Sequence, residues 1–129
     1  MKQIFTIMPS EAYPDAATKR LLIEQCFRDA GWRVLMPEYD KDLPDFDLEK
    51  TKMDLKNSDL VLVDLSDERP SCYFELGLAE AVGAPVAVIS KADTPIHQTS
   101  LRSSVSTFSN IDEFENLLAS ILGKNTDRC

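Results

Sequence analysis

Glycine is scarce in this chain: four occur among 129 residues. Gly31, Gly83 and Gly123 each follow an apolar stripe and read as helix stops. No Gly-rich loop remains to cradle a phosphate, and neither a GxGxxG nor a Walker pattern is present. That argues against Rossmann-type NAD binding and P-loop ATPase chemistry, and no cofactor is expected. There is one histidine, His97. Cys26, Cys72 and Cys129 lack metal-ligand spacing, so no metal site is expected and free thiols of a reducing compartment are. A Cys72 nucleophile would need His97 as partner, and His97 stands in a loop whose position the sequence does not give. No apolar run is long enough to cross a membrane. The first residues read as a strand without signal-peptide features, so a cytoplasmic location is expected. The net charge of −8 argues against nucleic acid as partner. It leaves room for a small anion beside Arg69, Lys91 and Arg102.

What is present is an alternation of strands and helices. Lys2–Met8 is a strand stopped by Pro9. A helix is expected from Pro14 to Ala30, with Leu22, Ile23, Cys26, Phe27 and Ala30 as its apolar stripe. Trp32–Met36 is a short strand, and an acidic loop leads to a helix over Asp47–Asn57. Leu60–Leu65 is apolar on both faces, as a central parallel strand should be. The spacing predicts a helix over Pro70–Val82, with Phe74, Leu78, Ala81 and Val82 facing the core. Pro85–Ser90 is a fourth strand and Ser104–Phe108 a short fifth. A last helix opens at Ser109, with Asp112 completing a capping box, and stops at Gly123 before a frayed tail, 124–129. The expected fold is α/β: one flavodoxin-like, doubly wound parallel domain over residues 1–123, of about five strands in the order 2-1-3-4-5, with helices on both faces.

Right-handed connections gather the carboxyl ends of strands one, three and four on one rim. Met8, Pro9, Ser10, Asp64, Ser66 and Arg69 lie there and are candidate substrate contacts. Tyr73 and Gly77, on the helix that follows, join them. Gly77 costs about 1 kcal/mol inside a helix, so close approach by a backbone or a ligand is expected at it.

Two acids stand out. Glu75 lies near the start of the helix after the buried strand, among aromatic and aliphatic neighbours. No Ser or Thr three residues earlier makes a capping box with it, since that position is Cys72. Two explanations remain: a favourable helix dipole, worth about 0.3–1 kcal/mol, or chemistry. Asp54 sits near the end of the preceding helix, where an acid opposes the dipole. A surface pair with Lys50 explains it adequately. Asp64 ends a buried strand and needs a partner or a ligand. Backbone N–H groups of the loop Ser66–Arg69 would serve.

Two segments together resemble the nucleoside 2-deoxyribosyltransferase superfamily. One is Asp54-Leu55-Lys56-Asn57-Ser58-Asp59-Leu60-Val61-Leu62-Val63. The other runs from Asp64 to Ala79 and centres on Glu75-Leu76-Gly77-Leu78-Ala79. The opening Ile4-Phe5-Thr6-Ile7-Met8-Pro9 and the stretch Arg69-Pro70-Ser71-Cys72-Tyr73-Phe74-Glu75-Leu76-Gly77 are similar to a small nucleotide-binding or TIR-like branch of it. The resemblance covers Lys2 to about Ser90, and more weakly the last helix.

It implies cleavage or transfer of an N-glycosidic bond in a nucleoside, deoxynucleoside or nucleoside 5′-monophosphate. Glu75 takes the role of nucleophile or oxocarbenium stabiliser, and Asp54 assists the leaving base. Water as acceptor gives a hydrolase; a second base gives a transferase. The resemblance also implies a homodimer or higher homo-oligomer, with Trp32, Tyr39 and Phe46 as candidates for its interface. Three differences from the family pattern stand in the sequence. Met8-Pro9-Ser10-Glu11 replaces a glycine-rich turn, Phe5 stands for a tyrosine, and Cys72-Tyr73-Phe74 replaces small residues before the glutamate. A nucleotide-sensing module without turnover and a TIR-like NAD glycohydrolase are the alternatives.

Overall fold

The computed structural model describes residues 1–9, 15–36, 45–97 and 100–126. Its strands are β1 (Gln3–Ile7), β2 (Arg33–Leu35), β3 (Leu60–Asp64), β4 (Val86–Lys91) and β5 (Ser106–Phe108). Its helices are α1 (Ala16–Asp29), α2 (Leu48–Lys56), α3 (Pro70–Ala81) and α4 (Ile111–Thr126), with 3-10 turns at Ser66–Glu68 and Arg102–Ser104. The sheet order is β2-β1-β3-β4-β5, and every neighbouring pair is parallel. This is the expected doubly wound α/β fold, flavodoxin-like in order. Its topological switch point lies between β1 and β3, where Ile7 is in register with Val63.

Alternate residues of the strands feed two cores. Ile4, Leu60, Leu62 and Ile89 pack under α1 and α4 with Ile23, Phe27, Phe114 and Leu118. Phe5, Ile7, Val61 and Val63 pack under α2 and α3 with Leu55, Cys72, Leu76 and Ala79. Every residue of β3 is buried. A strand covered on both faces can be apolar throughout, because its backbone polar groups are satisfied by β1 and β4.

Local chemistry sets the helix ends. The Asp47 carboxylate accepts from Lys50 N at 3.0 Å and caps α2,. Pro70 occupies the first turn of α3, where its missing N–H costs nothing,. Gly31 and Gly83 have φ of +86° and +76° just beyond α1 and α3, the left-handed geometry of a C′ glycine.

Several boundaries differ from expectation. Gly123 is interior to α4, which continues to Thr126, so the frayed tail does not begin at 124. Ile121 is buried in the core, Asn125 Nδ2 donates to Ile121 O at 2.8 Å, and the Lys2 ammonium donates to Asn125 O. Packing and side-chain bonds thus carry the helix past its glycine. Its capping box is formed by Asn110 and Glu113, not by Ser109 and Asp112. Glu113 N donates to Asn110 Oδ1 at 2.9 Å, and Glu113 Oε1 accepts from Ser109 N at 3.0 Å,.

The core face of α3 is Cys72, Leu76 and Ala79. Phe74 is 53% exposed and Ala81 is exposed too, so the helix is rotated from the expected phase. Hydrophobicity cannot set the phase of a helix whose residues are apolar nearly all round. On α1 the buried line is Ala16, Lys19, Ile23 and Phe27, and Ala30 lies outside the helix and exposed.

Candidate functional site

Glu75 comes from α3, the helix that leaves the carboxyl end of β3 beside the switch point, where open α/β sheets place ligands. Its side chain is half-buried. Burial pushes its carboxyl up to about 7, since a charge that loses water prefers to be neutral. Among the described residues none bonds to it. Glu75 is therefore a desolvated carboxyl group whose ionisation no described neighbour stabilises.

An aromatic pair stands beside it. Phe74 packs edge-on against Phe46, just ahead of α2, with ring centroids 5.5 Å apart and planes at 79°. Both rings are about half exposed, at 53% and 50%. Trp32, by contrast, is spent inside the core against Phe27 at 5.2 Å, so it is not available to an interface. Tyr39 lies outside the described residues.

Asp54 is in the last turn of α2. Its Oδ2 pairs with Lys50 Nζ at 2.7 Å, and its backbone carbonyl accepts from Ser58 Oγ at 2.7 Å and Gln3 Nε2 at 3.3 Å. Gln3 begins β1, so this turn lies toward the amino ends of the strands. Helices α2 and α3 run the same way over one sheet face and pack together, so equal positions on their wheels point the same way. Tyr73 and Glu80 flank the buried line of α3 toward the β4–β5 connection, where Ser100 Oγ donates to Glu80 Oε1 at 2.5 Å. Glu75 flanks that line on the other side, toward α2. Asp54 has the same relation to Leu55, the buried residue of α2.

The rim residues divide into two further groups. Asp64 Oδ2 accepts from Lys19 Nζ at 3.0 Å, and its Oδ1 accepts from Ser66 N at 2.9 Å and Ser66 Oγ at 2.6 Å. Ser66 Oγ in turn accepts from Lys91 N at 3.0 Å. The Lys19 ammonium lies 4.8 Å from the Phe108 ring centre and 5.8 Å from that of Phe114. Asp64 and Ser66 thus have their partners inside the protein. The sequence reading missed Lys19, although its signal was there: a lysine in the i, i+4 line of Ile23 and Phe27.

Glu68, Tyr73 and His97 form the second group. Tyr73 OH donates to Glu68 Oε1 at 2.7 Å, and the His97 ring nitrogen Nδ1 lies 2.8 Å from the same carboxylate. Cys72 is buried, and desolvation, helped by Glu75 and Asp64, pushes its thiol up to about 12. A thiol so raised is no nucleophile near neutrality, and His97 is engaged elsewhere.

Of the remaining candidates, Pro9 is buried and Met8 packs against the α1–α4 core. Arg69 precedes α3, and its carbonyl accepts from Cys72 N at 3.0 Å. Ser10 lies outside the described residues. Gly77 is exposed, and a Cβ there would meet nothing within 4 Å, so no part of the described chain makes the close approach expected of it. A cavity of about 270 Å³ opens on the rim between Asp67, Glu68, Lys91, Asp93, Thr94 and Pro95. Acids outnumber the single lysine there, so it is not the positive patch that Lys91 and its neighbours suggested, and Glu75 does not line it.

Among the described residues no group of His, Cys, Asp and Glu is placed to hold a metal. No described helix is long and apolar enough to cross a membrane.

No family model matches the chain, and no curated protein matches it by sequence. Solved structures match it closely in fold. The CMP N-glycosidase BcmB of Clostridium botulinum superposes with a TM-score of 0.65 at 15% identity, over 91% of this chain and 98% of that one. A 2-deoxyribosyltransferase from Bacillus psychrosaccharolyticus gives 0.60 at 22% identity, over 88% and 90%. The E. coli constitutive lysine decarboxylase gives 0.56 at 15% identity, with only 17% of its length covered. In fold this chain is similar to the N-glycosidase and the deoxyribosyltransferase over most of the length of each.

Proposed function

We propose that this protein cleaves or transfers the N-glycosidic bond of a nucleoside, deoxynucleoside or nucleoside 5′-monophosphate, with Glu75 as the reacting or stabilising carboxylate. One observation carries the reading: Glu75 is desolvated, without a bonding partner among the described residues, and raised to about 7. A carboxylate that is poorly stabilised in the resting protein gains most when positive charge develops beside it. The oxocarbenium-like transition state of glycosidic cleavage supplies that charge. The bond from the anomeric carbon to the base nitrogen breaks, and its electron pair leaves with the base. Glu75 stabilises the sugar cation or forms an ester with it. Water then completes a hydrolysis, or a second base a transfer.

The resemblance also gives Asp54 the task of assisting the base. Its carboxylate is paired with Lys50, so the reading rests on Glu75. A homodimer belongs to the proposal as well. The outward side of α3 exposes Phe74, Gly77 and Ala81, with Phe46, Leu48 and Met53 exposed at and along α2. An apolar patch beside the candidate carboxylate suits a second copy that would cover it.

Two observations favour a nucleotide-sensing module instead. The Tyr73 hydroxyl is spent on Glu68, and the Asp54 carboxylate is paired with Lys50. A TIR-like NAD glycohydrolase would use the same glutamate.

The test incubates the protein with nucleosides, deoxynucleosides, their 5′-monophosphates and NAD, and reads free base or nicotinamide by chromatography. The expected result is base release that Glu75→Ala abolishes in a folded protein. Silence across the panel, with thermal stabilisation by a nucleotide left intact, would replace the enzyme by the sensor.

A further inference from the structure

One carboxylate ties the β4–β5 connection to the head of α3. Glu68 stands in the turn after β3 with φ of +46°, next to Asp67 at +65°. Both are left-handed, a conformation that side-chain-bearing residues avoid unless contacts hold them there. The contacts at Glu68 are clear. Its Oε1 accepts from Tyr73 OH at 2.7 Å and from the backbone N–H of His97 at 3.1 Å. His97 Nδ1 lies 2.8 Å from Oε1 and 2.8 Å from Oε2. The Arg102 guanidinium donates to the His97 carbonyl, and Ile96 and Leu101 pack on the core beneath α3. The hydrogen bond from Tyr73 does most to hold the Glu68 carboxyl below its usual range. Burial opposes this, and the His97 ring and N–H add to it.

We propose that Glu68, Tyr73 and His97 form a clasp worked by the proton on His97. The imidazolium closes it by charge against the Glu68 carboxylate, and loss of that proton loosens the β4–β5 connection from the head of α3. The surroundings fit a clasp of this sign. Glu68, from the turn after β3, supplies the anion that faces the ring. Tyr73, from α3, is neutral, and its hydroxyl is raised by burial and then by the bond to Glu68. Arg102, from the 3-10 turn before β5, bonds the His97 carbonyl and leaves the carboxylate to the ring. Asp67, Lys91 and Asp93 lie around the adjoining cavity, of which Glu68 is one wall. A neutral ring still offers one N–H to Glu68 but no charge, so the hold weakens rather than disappears. The clasp grips α3 on the flank opposite Glu75, so it steadies the helix that carries the candidate carboxylate without touching that group. It does not depend on the proposed activity.

His97 is the one histidine of the chain, so its ring signals in a magnetic resonance spectrum are unambiguous. Amide exchange at residues 92–97 is followed from about pH 5.5 to about pH 8.5, corrected for the intrinsic rate, alongside the ring titration. Protection at these amides is expected to fall about two- to five-fold as pH rises, the scale of a partly exposed ion pair. The midpoint should match that of the ring. His97→Gln should flatten the profile. Glu75→Gln, which removes the other group raised toward neutrality, should leave it unchanged. A flat wild-type profile, a midpoint apart from that of the ring, or a profile lost in Glu75→Gln would overturn the clasp. So would a pH profile that persists in His97→Gln. The wild-type comparison of the two midpoints decides even where His97→Gln does not fold.

Discussion

The Lys19 ammonium and the Asp64 carboxylate meet at 3.0 Å, with side chains only 6% and 3% exposed. The pair joins α1 to the end of β3, and two aromatic rings from β5 and α4 close over it. Ser66, bonded to the other oxygen of Asp64, carries the tie onward to the backbone of Lys91. The loops that lead to α3 therefore start from a fixed point.

Removing one partner should be costly, because it leaves a buried charge unpaired. Lys19→Met is expected to destabilise the protein by about 3–5 kcal/mol. Adding Asp64→Asn should recover part of the loss, since the amide oxygen still accepts from Ser66. Urea unfolding of the single and double variants measures both numbers. A double variant less stable than Lys19→Met would refute the pairing as the source of the cost.

Glu75 makes stability depend on pH. Its carboxyl titrates at about 7 in the folded protein and near 4.3 in an unfolded chain. Below the unfolded value both states are protonated and nothing is lost. As pH rises toward 7 the unfolded state ionises first, so stability falls, by up to about 4 kcal/mol at 1.36 kcal/mol per unit of difference. Glu75→Gln should be more stable than the wild type at pH 8, with the gap closing at acid pH. Melting curves across pH read this directly. If Glu75 reacts as an anion, kcat/KM for base release should rise with pH through about 7 in the wild type.

Asp54 offers a sharper division of roles. Its carboxylate pairs with Lys50 on α2. Asp54→Asn is expected to cost less than about 0.5 kcal/mol, as an exposed i,i+4 pair should. It should leave base release near the wild-type rate where Glu75→Ala abolishes it. A loss in Asp54→Asn comparable to that in Glu75→Ala would restore the acid role.

Gly77 is a test of what covers α3. Nothing lies within 4 Å of where its Cβ would be, so Gly77→Ala in the isolated chain should gain about 0.5–1 kcal/mol of helix stability. If a second copy approaches this face closely, the same methyl should weaken the dimer. Melting temperature and light scattering on one sample separate the effects. A variant with neither gain in melting temperature nor change in mass would count against both statements.

Much of the fold was legible from residue patterns. The unbroken apolar run Leu60–Val63 marks a strand covered on both faces, and Gly31 and Gly83 stop helices through a local backbone requirement. The parallel order 2-1-3-4-5 follows from how short crossovers pack. The place of Glu75, near the start of the helix after the central strand, follows from the same rules.

Other features answer to no local rule. The end of α4 was misjudged because Gly123 is overruled by Ile121 packing beyond it. The phase of α3 was misjudged because apolar residues lie nearly all round it, and only contact with the sheet selects Cys72, Leu76 and Ala79. Lys19 and Asp64 are 45 positions apart, and Glu68 and His97 are 29. The sequence by itself determined the kinds of element and their order, because these depend on backbone conformation and the period of apolar residues. Tertiary structure alone decided which charged groups far apart in the chain meet. Meeting depends on the rotation and depth of packed elements, and a carboxylate is placed by the burial and partners it finds there.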